Sequence, residues 1–343
     1  MKTFPKFSIN RPYCGILSFI LNINLTSHML VPAFAVVAGL VLLIWSANRF
    51  VDGASATAYH LGMSPMLIGL TVIAFGTSAP EILVSATAAF NEAPGLAIGN
   101  ALGSNIANIA LVLGGTAVFA SVPIRASLVR HELPVLTIVT IGTGFLLWDQ
   151  HIGLVDGLLM LGSLGICLSL FKRFQEQDKN PITQDIPDMA LAQGILWLII
   201  GLIALGFGSR ILVWGATDIA IQLGVSDLVI GLTIVAIGTS LPELAASIVS
   251  ARKGKHAMAI GNIIGSNIFN LLAVMALPGL IYPATISAGA LWRDYGLMLG
   301  LTLLLFAIGF KARKGGFIQR WMGIGLLCIY ILYLYVLYVS AQA

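Results

Sequence analysis

Two hexapeptides carry the residues best suited to chemistry: GTSAPE at 76–81 and GTSLPE at 238–243, each inside a long apolar run. Each offers a carboxylate (Glu81, Glu243), two hydroxyls (Thr77 and Ser78, Thr239 and Ser240) and a proline directly before the acid. Of the 14 acidic residues only these two fall deep within apolar stretches, and no Lys or Arg lies mid-stretch to pair with them. A lone charge at the centre of a bilayer costs at least ~2.5–3.5 kcal/mol on insertion scales. Each glutamate therefore requires a cation or a proton. Pro80 and Pro242 have no N–H, so the carbonyls of Gly76 and Gly238 lose their helical partners and the turn is pushed open. Unwound backbone at that depth is tolerated only where it is buried in protein or lines a cavity. Carboxylates, hydroxyls and freed carbonyls form an all-oxygen surface, the kind hard cations prefer, Ca²⁺ taking roughly 6–8 oxygens.

The bulk composition says where such a surface must sit. The 343 residues are 58% hydrophobic and 9% charged, against roughly 25% charged in a soluble domain. Too little polar surface exists to coat a globule in water, so the bilayer is the expected solvent and partner. Cys14, Cys167 and Cys328 are far apart in apolar stretches and read as packing residues, and the five histidines form no metal-binding cluster. The net charge of +4 does not point to nucleic acid, because membrane proteins gather Lys and Arg in their cytoplasmic loops. The basic start and short apolar core of residues 1–25 resemble a signal peptide. Cleavage after PAFA (32–35) would cut into the first good span, however, so 1–30 is expected to be a disordered extension or to precede the true start at Met29.

The chain repeats itself at an offset of 162 residues. GLTVIAFGTSAPE (69–81) lies over GLTIVAIGTSLPE (231–243) with 9 of 13 positions identical, and GNALGSNIANIALVL (99–113) over GNIIGSNIFNLLAVM (261–275) with 8 of 15. Hydropathy predicts ten spans of about 20 residues, at 31–50, 66–90, 97–120, 132–148, 152–171, 190–210, 228–251, 258–282, 294–310 and 317–339. The expected organisation is an extension (1–30), a first repeat of five helices (31–171), a short polar linker (172–189) and a second repeat of five helices (190–343). Five is odd, so the second repeat should enter the membrane inverted. Loops after the odd-numbered spans hold 13 of the 18 basic residues. This puts the linker in the cytoplasm and the C-terminus outside. The fold expected is an all-α membrane protein of ten transmembrane helices in two inverted-topology repeats, an architecture of transporters whose substrate site lies near the midplane.

Within the GNxxGSN blocks, close helix packing accounts for Gly99, Gly103, Gly261 and Gly265 as well as a site would. Ser104 and Ser266 can bond back to the preceding turn. Asn108 and Asn270, four residues further on the same helix face, read as lining the site.

The paired GTSxPE and GSNIxN blocks resemble the alpha-repeats of the calcium:cation antiporter superfamily, specifically the sodium/calcium exchanger family and its prokaryotic members, over about 300 residues. That resemblance implies a diamond of four cation sites between the repeats, in a multi-pass protein of the cell (inner) membrane. One sodium site would use Glu81, Ser104, Thr239, Ser240 and the Ala236 carbonyl. The other would use Glu243, Ser266, Thr77, Ser78 and the Ala74 carbonyl. Calcium would lie between Glu81 and Glu243, with Asn108 and Asn270 lining the centre. Several exchangers of the family have an aspartate where this chain has one of these asparagines, which leaves proton coupling open. The short linker has no room for the calcium-sensing domains of the animal exchangers. The function expected is exchange of Ca²⁺ for Na⁺, with exchange for H⁺ as the alternative and a cation channel behind it. No cofactor is expected, and no enzymatic role: Ser78 and Glu81 have no histidine beside them.

Overall fold

The computed structural model of the chain describes residues 12–177 and 188–342. The expected extension (1–30) and linker (172–189) thus lie partly outside the described residues. What is described is almost entirely helical: α1 (Pro12–His60), α2 (Pro65–Thr77), α3 (Ala79–Phe90), α4 (Pro94–Phe119), α5 (Ala126–Arg130), α6 (Glu132–Leu146), α7 (Leu154–Gln177), α8 (Leu191–Gln222), α9 (227–239), α10 (Leu241–Arg252), α11 (His256–Ile281), α12 (Leu291–Ala312) and α13 (Arg320–Gln342). Among the described residues seven helices are long and apolar enough to cross a membrane, or up to nine if the bent pairs α2–α3 and α9–α10 each count as one span. The fourth expected span, α6, has 15 residues, about 22 Å of rise.

The helices α1 and α8 run on to His60 and Gln222, past the expected ends at 50 and 210. Each has a 32-residue stretch that passes as a span, about 48 Å of rise against a hydrocarbon core of about 30 Å. Hydropathy marks only the apolar middle of such a helix. The two pack face to face through small residues: a methyl on Gly39 would lie 2.6 Å from the Leu212 nitrogen, and one on Gly201 2.6 Å from the Phe50 nitrogen. At the end of α1, Asp52 pairs with Lys253 at 2.8 Å, and Ser55 Oγ accepts from Lys255 Nζ at 2.6 Å.

The innermost helices are α4 and α11, with 72% and 83% of their apolar windows buried against 22–28% for the other five spans. Both carry the GNxxGSN block. Four two-residue strands lie in the loops around them. The strand β1 (Val122–Pro123) pairs antiparallel with β4 (Phe317–Ile318), and β2 (His151–Ile152) with β3 (Ala284–Thr285). Each clasp joins a loop of one half of the chain to a loop of the other.

The duplicated glycines are not used alike. Where α2 crosses α11, a methyl on Gly69 would lie 2.6 Å from the Met258 carbonyl, one on Gly261 2.6 Å from the Met66 carbonyl and one on Gly265 2.5 Å from the Leu70 carbonyl. These backbones touch because no Cβ intervenes. Their counterparts one repeat away, Gly231, Gly99 and Gly103, would meet nothing within 4 Å. The seam between α2 and α11 is closed; the equivalent seam between α9 and α4 is open. Gly261→Ala is therefore expected to destabilise by about 1–3 kcal/mol, the usual cost of forcing a methyl into a packed contact. Gly99→Ala should leave stability unchanged or slightly raised. Thermal unfolding of the two variants in detergent, read side by side, checks this.

Candidate cation site

Each GTSxPE segment breaks its helix at the serine. Ser78 (φ −82°, ψ 2°) and Ser240 (φ −91°, ψ 4°) leave the helical region, and the axes turn by 44° between α2 and α3 and by 54° between α9 and α10. Pro80 and Pro242 fall in the first turn of the restarted helix, where a missing N–H costs nothing. Glu81 and Glu243 fall in the same first turn. There the unpaired N–H groups and the positive end of the helix dipole favour a carboxylate. A wide π-type turn precedes each break, at Gly69–Ile73 and Gly231–Val235. Further ones open at the two central asparagines, Asn108–Leu113 and Asn270–Val274. Such turns recur at functional sites because they displace side chains from the regular helical rows.

The breaks of the two halves face each other. Ser78 Oγ donates to Glu243 Oε1 at 3.4 Å, Thr77 Oγ1 donates to Asn262 Oδ1 at 3.1 Å, and Thr77 Oγ1 lies 3.5 Å from Ser266 Oγ. Glu81 and Glu243 are each 1% exposed. Thr77, Ser78, Ser240, Ser104, Ser266, Asn108 and Asn270 are likewise buried. The carbonyl of Ala74 accepts from Ser78 N and lies 3.4 Å from Thr77 Oγ1, and that of Ala236 accepts from Thr239 Oγ1.

Four of the residues expected around Glu243 are thus brought together: Glu243, Ser78, Thr77 and Ser266. The set expected around Glu81 is looser. Thr239 is only half-buried and bonds to its own turn, and Ser240 Oγ, Glu81 Oε2 and both polar atoms of Asn108 and Asn270 have no protein partner. Glu243 Oε2 is also unpartnered. Buried polar groups are almost always satisfied in folded proteins. A cluster of orphaned oxygens around two carboxylates is therefore chemically suited to a cation. Thr239 also lines a cavity of about 590 Å³ that runs between α8 and the two breaks, past Pro80, Arg210 and Trp214. Among the described residues no group of three or more His, Cys, Asp or Glu side chains is placed to hold a metal ion.

Sequence reasoning missed the clamps behind the glutamates. Asn100 Nδ2 donates to the Glu81 carbonyl at 3.1 Å and to Ser85 Oγ at 3.0 Å. Asn262 Nδ2 repeats this on the Glu243 carbonyl (3.4 Å) and Ser247 Oγ (3.0 Å). All three residues in each clamp are related by the offset of 162, a signal that was readable because Asn100 and Asn262 stand second in the GNxxGSN blocks. A third missed residue serves one half only. The Gly238 carbonyl, freed by Pro242, accepts from Ser209 Oγ at 2.8 Å, whereas the residue equivalent to Ser209 in the first repeat is Ala47.

Comparison with known proteins agrees with this geometry. The sodium/calcium exchanger protein family matches residues 31–172 and 193–339, taking in both broken helices and both inner helices. A protein of Alkalimonas amylolytica provisionally named antiporter CaxA is 46% identical over 91% of this chain and 100% of its own length. The inner membrane protein YrbG of Escherichia coli is 39% identical over 82% of this chain and 89% of its own. A solved structure of the sodium-calcium exchanger NCX_Mj, soaked with zero Na⁺ and Ca²⁺, superposes with a TM-score of 0.78 at 34% identity, covering 90% of this chain and 99% of that one. Duplicated broken helices, buried paired glutamates and these matches lead to one conclusion: the chain is an integral membrane protein belonging to the sodium/calcium exchanger family.

Proposed function

We propose that this protein is a secondary antiporter that exchanges Ca²⁺ for Na⁺ through ten membrane spans arranged as two inverted repeats. The observation that carries the reading is the pair of buried glutamates on duplicated broken helices, facing one another through the Ser78–Glu243 contact. In this reading Ca²⁺ lies between Glu81 and Glu243. One Na⁺ site is formed by Glu243, Ser266, Thr77, Ser78 and the Ala74 carbonyl, and the other by Glu81, Ser104, Thr239, Ser240 and the Ala236 carbonyl. Asn108 and Asn270 line the centre. MaX1 of Methanosarcina acetivorans, 29% identical over 88% of this chain, bears the name sodium/calcium exchanger, which supports the choice of ions.

The strand clasps support the inversion. At the repeat offset β1 falls on β3, yet β1 pairs with β4 and β3 with β2. One traverse, α6, separates β1 from β2 along the chain, so the two clasps belong at opposite ends of the bundle. Corresponding segments of the two halves then lie on opposite faces, as inverted repeats require. The distribution of basic residues supports a cytoplasmic position for the β1–β4 end, the linker and the Asp52–Lys253 pair, and an outside position for the C-terminus.

Charge balance supplies the exchange rule. Emptied of cations, the site buries two carboxylates with no basic partner, and carrying it across the occluded state is unfavourable. Filled with Ca²⁺, or with Na⁺, the charge is compensated and the transition proceeds. A carrier that crosses only when loaded is an antiporter, driven by the opposing cation gradient. Exchange of H⁺ for Ca²⁺ is the second reading. It is favoured by the two central asparagines, which leave the site just two formal charges, both of them groups that protons can neutralise.

Three measurements test the proposal. Vesicles holding the protein should take up Ca²⁺ when an opposing Na⁺ gradient is imposed; uptake that ignores Na⁺ but follows a pH gradient would replace sodium with protons as the coupling ion. Glu81→Gln and Glu243→Gln should each reduce Ca²⁺ flux to background with folding intact, because a neutral amide is cheaper to bury than a carboxylate while the bound Ca²⁺ loses half its compensation. Full flux in the double variant would falsify the site. Finally, cysteines at Lys253 and Lys314 should react with impermeant reagents from the cytoplasm and one at Glu92 from outside. Positions 92 and 253 on the same face would end the inverted-repeat reading.

A further inference from the structure

The two clamps behind the glutamates are duplicated in sequence, but only one of them reaches across to the other half. The amide orientation of Asn262 is fixed, because its Nδ2 faces the Glu243 carbonyl, which can only accept. Its Oδ1 therefore faces Thr77 Oγ1 and takes that hydroxyl's proton at 3.1 Å. This bond spans the closed seam, where Gly69, Gly261 and Gly265 bring α2 and α11 into backbone contact. Asn100 makes the same two donor bonds to its own half, so its Oδ1 is oriented in the same way. Thr239, the equivalent of Thr77, keeps the contact both threonines have with their own turn (the Ala236 carbonyl at 3.2 Å, the Ala74 carbonyl at 3.4 Å) but lacks the one across the seam, and among the described residues no donor meets Asn100 Oδ1. This is the open seam, where Gly99, Gly103 and Gly231 stand clear of everything within 4 Å. One hydrogen bond and three glycine contacts thus change together between the halves.

We infer that Asn262 and Asn100 are reciprocal positioning residues for the transport cycle: each holds its seam shut by accepting from the threonine opposite, Thr77 in the state described and Thr239 in the state facing the other way. The inference rests on the alternating-access reading above and deepens it. In the orientation proposed there, the closed seam is cytoplasmic and the open one extracellular, so the structure faces outward. Facing inward, Thr239 Oγ1 donates to Asn100 Oδ1. Gly231 then closes on Gly99 and Gly103, and the Thr77–Asn262 bond opens. The hydroxyls of Thr77 and Thr239 are also proposed ion ligands. The asparagine that shuts a seam therefore aims the hydrogen of one ligand hydroxyl away from the ion and leaves its lone pairs to the site.

The test uses the full-length protein in nanodiscs, with Cys14, Cys167 and Cys328 replaced and a single cysteine at Leu96 as the reporter of the open seam, because Leu96 is 62% exposed whereas its counterpart at the closed seam, Met258, is 1% exposed. Asn262→Ala should shift the equilibrium about fivefold toward the inward-facing state, the effect of losing one hydrogen bond, and so slow maleimide labelling of Leu96→Cys by up to about threefold. Asn100→Ala should leave labelling as fast as in the parent or make it faster. In hydrogen exchange the same pair should diverge, with Asn262→Ala raising exchange over 65–77 and Asn100→Ala not. Opposite directions are the signature, since a merely structural asparagine would loosen both seams or neither. Shifts of the same sign in the two variants, or no shift in either, overturn the inference. If an alanine variant does not fold, Asn262→Ser and Asn100→Ser are read by the same criterion. Labelling needs no transported ion, so the outcome is separable from the ion assignment. Opposite shifts alongside full Ca²⁺ flux in Glu81→Gln, Glu243→Gln would sink the ion site and leave the seam assignment standing.

Discussion

Two carboxylates held in the low-dielectric middle of a helical bundle, with no basic side chain among the described residues to meet them, are the constraint to which the rest of the molecule answers. Coulomb interactions are several-fold stronger there than in water, so the cost of burying Glu81 and Glu243 has to be offset locally. The helices are broken at Ser78 and Ser240 so that each acid sits at a fresh N-terminus, among unpaired N–H groups. Asn100 and Asn262 hold the carbonyls of the same two residues, which fixes the restarted helices against the inner pair α4 and α11. What the protein does not supply is a counter-charge. The cargo has to bring it, and the chemistry of exchange follows from that omission.

Breaking a helix inside a membrane exposes backbone that lipid cannot satisfy, and the two halves solve this differently. In the second half the carbonyl freed by Pro242 receives the Ser209 hydroxyl from α8. The first half has Ala47 at the matching position and so lacks that hydroxyl; what fixes its break is the side-chain contact of Thr77 with Asn262 and Ser266 across the closed seam. Duplicated sequence thus yields two environments that are alike at the glutamates and different one layer out. The long helices α1 and α8 lie outside this layer and meet through glycine-lined backbone contacts.

Much of this was legible in the sequence, because the relevant physics is local. Proline, glycine and a following carboxylate specify a broken helix with an acid at its restart whatever surrounds them, and the offset of 162 announces the duplication directly. The ends of α1 and α8 were not legible, since hydropathy senses the lipid-embedded middle and not the parts that protrude. The clamp asparagines were missed for a different reason. In GNxxGSN the glycines suggested packing, and the bonds of Asn100 and Asn262 reach residues 15 and 19 positions away on another helix. The two-residue strand clasps carry no pattern of their own. The asymmetry of the seams could not have been read at all: Gly69, Gly99 and Gly103 match Gly231, Gly261 and Gly265 residue for residue, so which seam is shut is a property of the conformation alone.

The rims tell a different story from the centre. Asp52 and Ser55 on α1 hold Lys253 and Lys255 in the loop between α10 and α11. Shifted by one repeat, those four positions are occupied by Trp214, Thr217, Asn91 and Ala93, which can form no such ion pair. A carrier with identical halves would weigh its two facings equally. Among the described residues this clasp of opposite charges fastens one rim and has no equivalent at the matching positions of the other half, so the two halves are not equivalent in energy. Gradients alone still fix where exchange comes to rest, since no catalyst can move an equilibrium. The speed of approach from the two sides need not match. In a carrier that alternates between facings, rims this unlike would let exchange run faster from one side than from the other.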